Sequence, residues 1–203
     1  MSRLMLVAVL CAAMVGCAAE PPPPTAPLTL DFTRYGAIKL MVGKVDFISD
    51  SPLQPAPDAG FFSRFKPSLA DAAYRWGQDR MQAIGSQGLA VYSIDKATLT
   101  RAPLPFGDPG RGLFQQTEKL FKREQAEKWI AQVTVTLRVA NGPERYHGHA
   151  SATVTRSTTV PENASAREQE NAYRRLLLGL LDDLNAQMPQ SINTHLNAVT
   201  ATP

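Results

Sequence analysis

The chain has 203 residues, 44% apolar and 19% charged, with a formal net charge of +3. That balance fits one globular domain with a leader and excludes a disordered polar chain. So small a charge, with no face-long run of Lys and Arg, excludes nucleic-acid binding driven by phosphate neutralisation.

Both cysteines, Cys11 and Cys17, lie near the start, so the body has neither a disulfide framework nor a cysteine nucleophile. Arg3 precedes an apolar run over residues 4–15, the form of a secretory leader. The run is too short for a membrane span, which needs about 20 apolar residues. Met14-Val15-Gly16-Cys17 then resembles the bacterial lipobox, in which the cysteine carries lipid and the chain is cut before it; Met14 stands where Leu is commonest. The resemblance implies a lipoprotein signal peptide over 1–16 and lipidation at Cys17. A diacylglyceryl group plus an N-acyl chain anchors stably where one chain anchors only marginally. Ala18 and Ala19 carry no Asp-type inner-membrane retention signal, which favours the outer membrane and a periplasm-facing protein. Pro21 to Pro24 and Pro27 favour polyproline II, so residues 17–31 read as a semi-rigid tether. Residues 32–197 read as a single domain and 198–203 as a disordered tail.

Within the domain, Ile38, Leu40 and Val42 alternate with Lys39 and Met41, a strand signal. The phase slips at Gly43, which predicts a β-bulge, and Val45 and Phe47 continue the apolar face. Residues 49–67 carry four prolines and predict a loop holding Phe61, Phe62 and Phe65. These three either fold back as a core plug or offer a contact to a partner. Ser68 and Asp71 approximate a capping box, and Leu69, Ala72, Ala73, Trp76, Ala83 and Ile84 recur at helical spacing up to Gly85. Residues 89–100 predict a second strand, with Tyr92 and Ile94 on one face and Leu89 and Val91 on the other. Glycines and prolines break residues 102–125, apart from a short helix over 118–125.

Residues 130–140 give the clearest strand, with Ala131, Val133, Val135, Leu137 and Val139 on one face. After the turn Asn141-Gly142-Pro143, residues 146–157 alternate again, placing Gly148, Ala150, Ala152 and Val154 inward and His147, His149 and Ser151 outward. Ser165 and Glu168 form a capping box. A long helix follows with Tyr173, Leu176, Leu177, Leu180, Leu181 and Leu184 in its stripe; Pro189 is placed to kink or end it. The order strand-helix-strand-strand-strand-helix predicts an α+β two-layer sandwich: a four-stranded, mainly antiparallel sheet with two helices on one face.

Ala73, Trp76, Arg80 and Gly85, with Arg156-Ser157, Thr159-Val160-Pro161 and the closing Leu-rich helix, resemble envelope lipoproteins of an alphaproteobacterial type to which no activity attaches. The architecture is also similar to the auxiliary lipoproteins of ABC-type transporters and to the lipopolysaccharide-assembly lipoprotein. That resemblance implies an accessory role in an envelope complex, with lipid transport as one setting.

Few residues in the sequence point to catalytic chemistry. His147 and His149, at i and i+2, point the same way on a strand. A zinc site needs a third protein ligand, and no His or Cys cluster supplies it. The stretch 107–112 lacks the Gly-Lys-Ser/Thr ending of a phosphate loop, and no Gly-x-Ser-x-Gly elbow occurs. Asp182 and Asp183 fall on the polar side of the last helix. The sequence therefore predicts a non-enzymatic protein without a cofactor or metal, held to the membrane through Cys17 and contacting an envelope protein. A lipid-binding carrier and a metal-dependent hydrolase using His147 and His149 are the alternatives. The carrier requires an apolar cavity, for which the small residues Gly148, Ala150 and Ala152 leave room.

Overall fold

The computed structural model describes residues 28–48, 58–104, 126–141 and 143–200. The leader, Cys17, the tether up to residue 27, the 107–112 stretch and the expected helix over 118–125 lie outside the described residues.

The elements in order are β1 (Ile38–Leu40), β2 (Lys44–Ile48), α1 (Ala59–Phe62), α2 (Leu69–Arg80), β3 (Met81–Ala83), β4 (Leu89–Pro103), β5 (Ala126–Ala140), β6 (Gly148–Pro161) and α3 (Ala166–His195). The fold is α+β. Its main sheet has the order β2-β4-β5-β6, parallel at β2–β4 and antiparallel at the other two pairings. Helices α2 and α3 cover one face: α2 lies over β4, and α3 lies mainly over β6.

The β5–β6 hairpin follows directly from two-residue alternation. Val133 pairs with Val154, Val135 with Ala152 and Leu137 with Ala150, all buried beneath the helices. His149, Ser151 and Thr153 face solvent. Both strands run further than the alternation predicts, and the extra length brings Trp129 and Val160 into the core.

The first strand is two strands. β1 pairs in parallel with β3, β2 pairs in parallel with β4, and Gly43 is the corner between them rather than a bulge. The Gly43 amide donates to the carbonyls of Gln87 and Gly88, at 2.8 and 3.1 Å. Gly85 faces the same corner, where a Cβ would stand 2.6 Å from the Met41 carbonyl carbon. Its glycine therefore permits two backbones to touch, and it is not the helix stop that the spacing predicts. Helix α2 ends earlier, at Arg80, because Met81, Gln82 and Ala83 pair with Ile38, Lys39 and Leu40. The true bulge lies in β4 between Ile94 and Lys96. It switches the buried face from Ala90, Tyr92 and Ile94 to Leu99.

Pro189 neither ends nor is displaced from α3, which is 30 residues long. A proline inside a helix costs about 3 kcal/mol. Leu176, Leu177, Leu180, Leu181, Leu184, Met188 and Ile192 are all buried along the same helix, and each contributes about 1.5–3 kcal/mol by leaving water. The stripe outweighs the proline. Beyond it, Leu196 and Val199 are also fully buried, and the Met41 amide donates to the Val199 carbonyl at 2.7 Å. Residues 198–200 therefore belong to the domain, which corrects the expected start of the tail. At the other end Leu28 and Leu30 pack against the core, so residues 28–31 belong to the domain and not to the tether.

Gly77 on α2 faces the Tyr92 ring, and a Cβ there would sit 2.5 Å from Cε1. The ring cannot retreat, because Tyr92 is fully buried and its hydroxyl donates to the Ala73 carbonyl at 3.0 Å. Gly77→Ala is expected to destabilise the domain by about 1–3 kcal/mol through overpacking, despite the better helix propensity of Ala. Urea unfolding checks this; a gain in stability would show that α2 can shift.

Candidate functional site

The loop expected over 49–67 contains a built aromatic cluster. Phe62 and Phe65 are buried, and Phe61 is half-buried. All three pack on Trp129, with ring centroids 5.8, 5.1 and 5.7 Å away for Phe61, Phe62 and Phe65. Phe65 also stacks on Tyr173 at 4.9 Å and 18°. Helix α1 supplies Phe61 and Phe62, while β5 supplies Trp129 from the part of the strand that precedes the expected start at residue 130.

Two guanidiniums flank Phe61. Those of Arg64 and Arg101 each lie 4.3 Å from its ring centroid. Both are held: Arg64 donates to Gln169, and Arg101 meets Asp58 at 3.3 Å and Glu127 at 3.5 Å. Phe61 is thus a half-buried aromatic ring framed by two guanidiniums, an arrangement suited to cation–π stabilisation and to contact with a partner. Phe62 and Phe65, proposed with it as contact residues, serve the core in this structure.

Next to this cluster, where the chain enters the domain, lies a pocket of about 450 Å³. Leu28, Phe65 and Pro67 supply its apolar wall, and Arg64, Lys66, Arg174 and Glu170 supply its charge. Its frame is fixed from two sides. The Tyr173 hydroxyl donates to the Pro67 carbonyl at 2.6 Å, and Arg174 pairs with Glu170 at 3.0 Å. The start of α3 is satisfied by its own capping box, with the Ser165 amide donating to Glu168 at 2.7 Å. The Ser165 hydroxyl, and after it that amide bond, hold the Glu168 carboxyl below its ordinary range.

The predicted histidines are exposed at the start of β6. Among the described residues, no three His, Cys, Asp or Glu side chains converge as metal ligands. The space beside Gly148 is filled: a Cβ there would meet the Tyr146 hydroxyl at 2.6 Å and Leu196 at 2.9 Å. Helix α3 packs on β6 at this face.

Sequence reasoning missed two further sites. Asp183, expected to be solvated, binds Arg156 through both oxygens at 2.7 and 2.9 Å, and Gly179 leaves room for that guanidinium. On the open sheet face the bulge residue Asp95 accepts from Ser93 at 2.9 Å and from Thr136, while Arg138 donates to Ser93 at 3.2 Å. An acidic residue in the middle of an alternating strand was the available signal for the bulge.

Among the described residues, no helix is long and apolar enough to cross a membrane. No family model and no curated protein matches the chain. The chain is similar to a solved structure of a minor lipoprotein from Acinetobacter baumannii, at 14% identity and a TM-score of 0.36 over 81% of this chain and 99% of that one. A superposition that loose carries no argument about role.

Proposed function

We propose that this protein is a periplasm-facing lipoprotein, anchored through lipid on Cys17, that acts as a non-catalytic binding or scaffolding component of an envelope complex. The observation that carries the reading is the run Met14-Val15-Gly16-Cys17 after an apolar leader and before Pro21 to Pro24. That order gives a removable leader, a lipidation site and a spacer in the sequence each needs. The charged frame around Phe61 supports the binding role, because it presents an aromatic ring whose neighbours are already fixed. Outer-membrane residence and a lipid-transport setting are part of the proposal.

Photocrosslinking in cells tests the binding role. A photoreactive residue in place of Phe61 is expected to trap a defined envelope protein, whereas one in place of Thr153, on the open sheet face, is not. If the protein resides in the membrane fraction and neither position traps a protein, the scaffolding role fails.

A further inference from the structure

We propose that the pocket at the entry of the tether binds the head of an anionic phospholipid, with Arg64, Lys66 and Arg174 facing the phosphate and Leu28, Phe65 and Pro67 receiving the first carbons beyond it. Three observations lead there. The first is charge: three cations line the pocket against the single carboxylate of Glu170. Lys66 is exposed and has no acidic partner among the described residues. Arg64 is held over the rings of Phe61 and Phe65 and against Gln169. A guanidinium has five N–H donors in a fixed fork, so that restraint still leaves donors for a phosphate.

The second observation is the mixed wall. Inorganic phosphate would satisfy the cations and leave the apolar side in water, whereas an amphiphile meets both. The volume of about 450 Å³ lies in the range of small-molecule sites. It accommodates a head and a short length of chain, so the lipid tails stay outside.

The third is position. Leu28 is both a wall of the pocket and the first described residue after the tether. The eleven peptide steps from Cys17 to Leu28 span at most about 40 Å. A chain anchored at Cys17 therefore holds the pocket close to lipid heads, where tethering raises their effective concentration. The choice of a membrane lipid over a free phosphate rests on the proposed anchor.

Native mass spectrometry of the full chain, released from non-ionic detergent, tests this with four added probes: phosphatidylglycerol, phosphatidylcholine, inorganic phosphate and an oligoglutamate peptide. Phosphatidylglycerol is expected to bind at least about tenfold more tightly than phosphatidylcholine, which has the same phosphate but brings a trimethylammonium against the cations of the pocket. Lys66→Glu, a change at an exposed side chain, should weaken that binding about tenfold. Glu170→Gln, which removes the competing carboxylate, should strengthen it. Equal binding of the two lipids, or indifference to both substitutions, overturns the proposal. Phosphate binding as tightly as phosphatidylglycerol would make this a free-anion site, and tighter binding of oligoglutamate would make it a peptide site; either result also overturns it. The anchor is scored separately: selective phosphatidylglycerol binding by a chain without lipid on Cys17 would sink the anchor and leave the pocket standing.

Discussion

Trp129→Ala is expected to destabilise the domain by about 3–5 kcal/mol, the cost of emptying a large aromatic site that cannot collapse. Trp129 is fully buried and touches all three phenylalanines of the 61–65 segment. Its indole N–H also donates to Glu127 at 3.2 Å. Removing it takes away the platform on which α1 rests, so Phe61 should lose its fixed place between Arg64 and Arg101. Domains of this size have only about 5–15 kcal/mol in total, so the loss is a large fraction of the whole. Urea denaturation gives the number; a loss under about 1 kcal/mol would mean that the cluster is not part of the cooperative core.

The second large effect is alkaline. Burial pushes the phenols of Tyr92 and Tyr173 up, with the nearby carboxylates of Asp95 and Asp71 acting in the same direction. The unfolded chain releases these protons near pH 10, while the folded chain keeps them. Above pH 10 the unfolded state therefore binds fewer protons, and stability falls as pH rises. The full contribution is present below pH 10 and is lost towards the raised folded values. The slope reaches about 1.4 kcal/mol per pH unit for each tyrosine, or roughly 2.7 for both. Urea midpoints at pH 9, 10 and 11 measure it. Tyr173→Phe forfeits the bond to Pro67 but should remove about half of the slope; an unchanged slope would place the alkaline sensitivity elsewhere.

What could be read from the sequence was what repeats. Two-residue alternation over 130–140 and 146–157 defined a hairpin whose buried pairs, Val133–Val154 and Val135–Ala152, are those observed. Capping boxes at Ser68 and Ser165 marked both helix starts. What escaped depends on non-local partners. Ala83 and Ile84 fit a helical period, and only the parallel pairing of Met81 to Ala83 with β1 makes that segment a strand. Gly43 disturbs the phase as a bulge would, yet it marks a change of sheet, visible only once Gln87 and Gly88 are seen to meet it. Residues 32 and 197 were natural domain limits by composition, but Leu28 and Val199 pack across them.

The site was legible in its residues and not in its assembly. Phe61, Phe62 and Phe65 stood out in a proline-rich stretch, while Trp129, Arg101 and Arg64, which fix them, lie on three different elements or connections. The pocket draws Leu28, Lys66 and Arg174 from parts of the chain far apart in sequence. No local motif could announce it. His147 and His149 show the converse: the spacing is correct, but the third ligand is missing among the described residues.

Anchoring through Cys17 is tested most directly by incorporation of labelled palmitate into the chain expressed from its own leader in a Gram-negative host. The chain is expected to take up label, to fractionate with membranes, and to lose both properties in Cys17→Ser. Unlabelled protein in the soluble periplasmic fraction, or label that persists in Cys17→Ser, would contradict it.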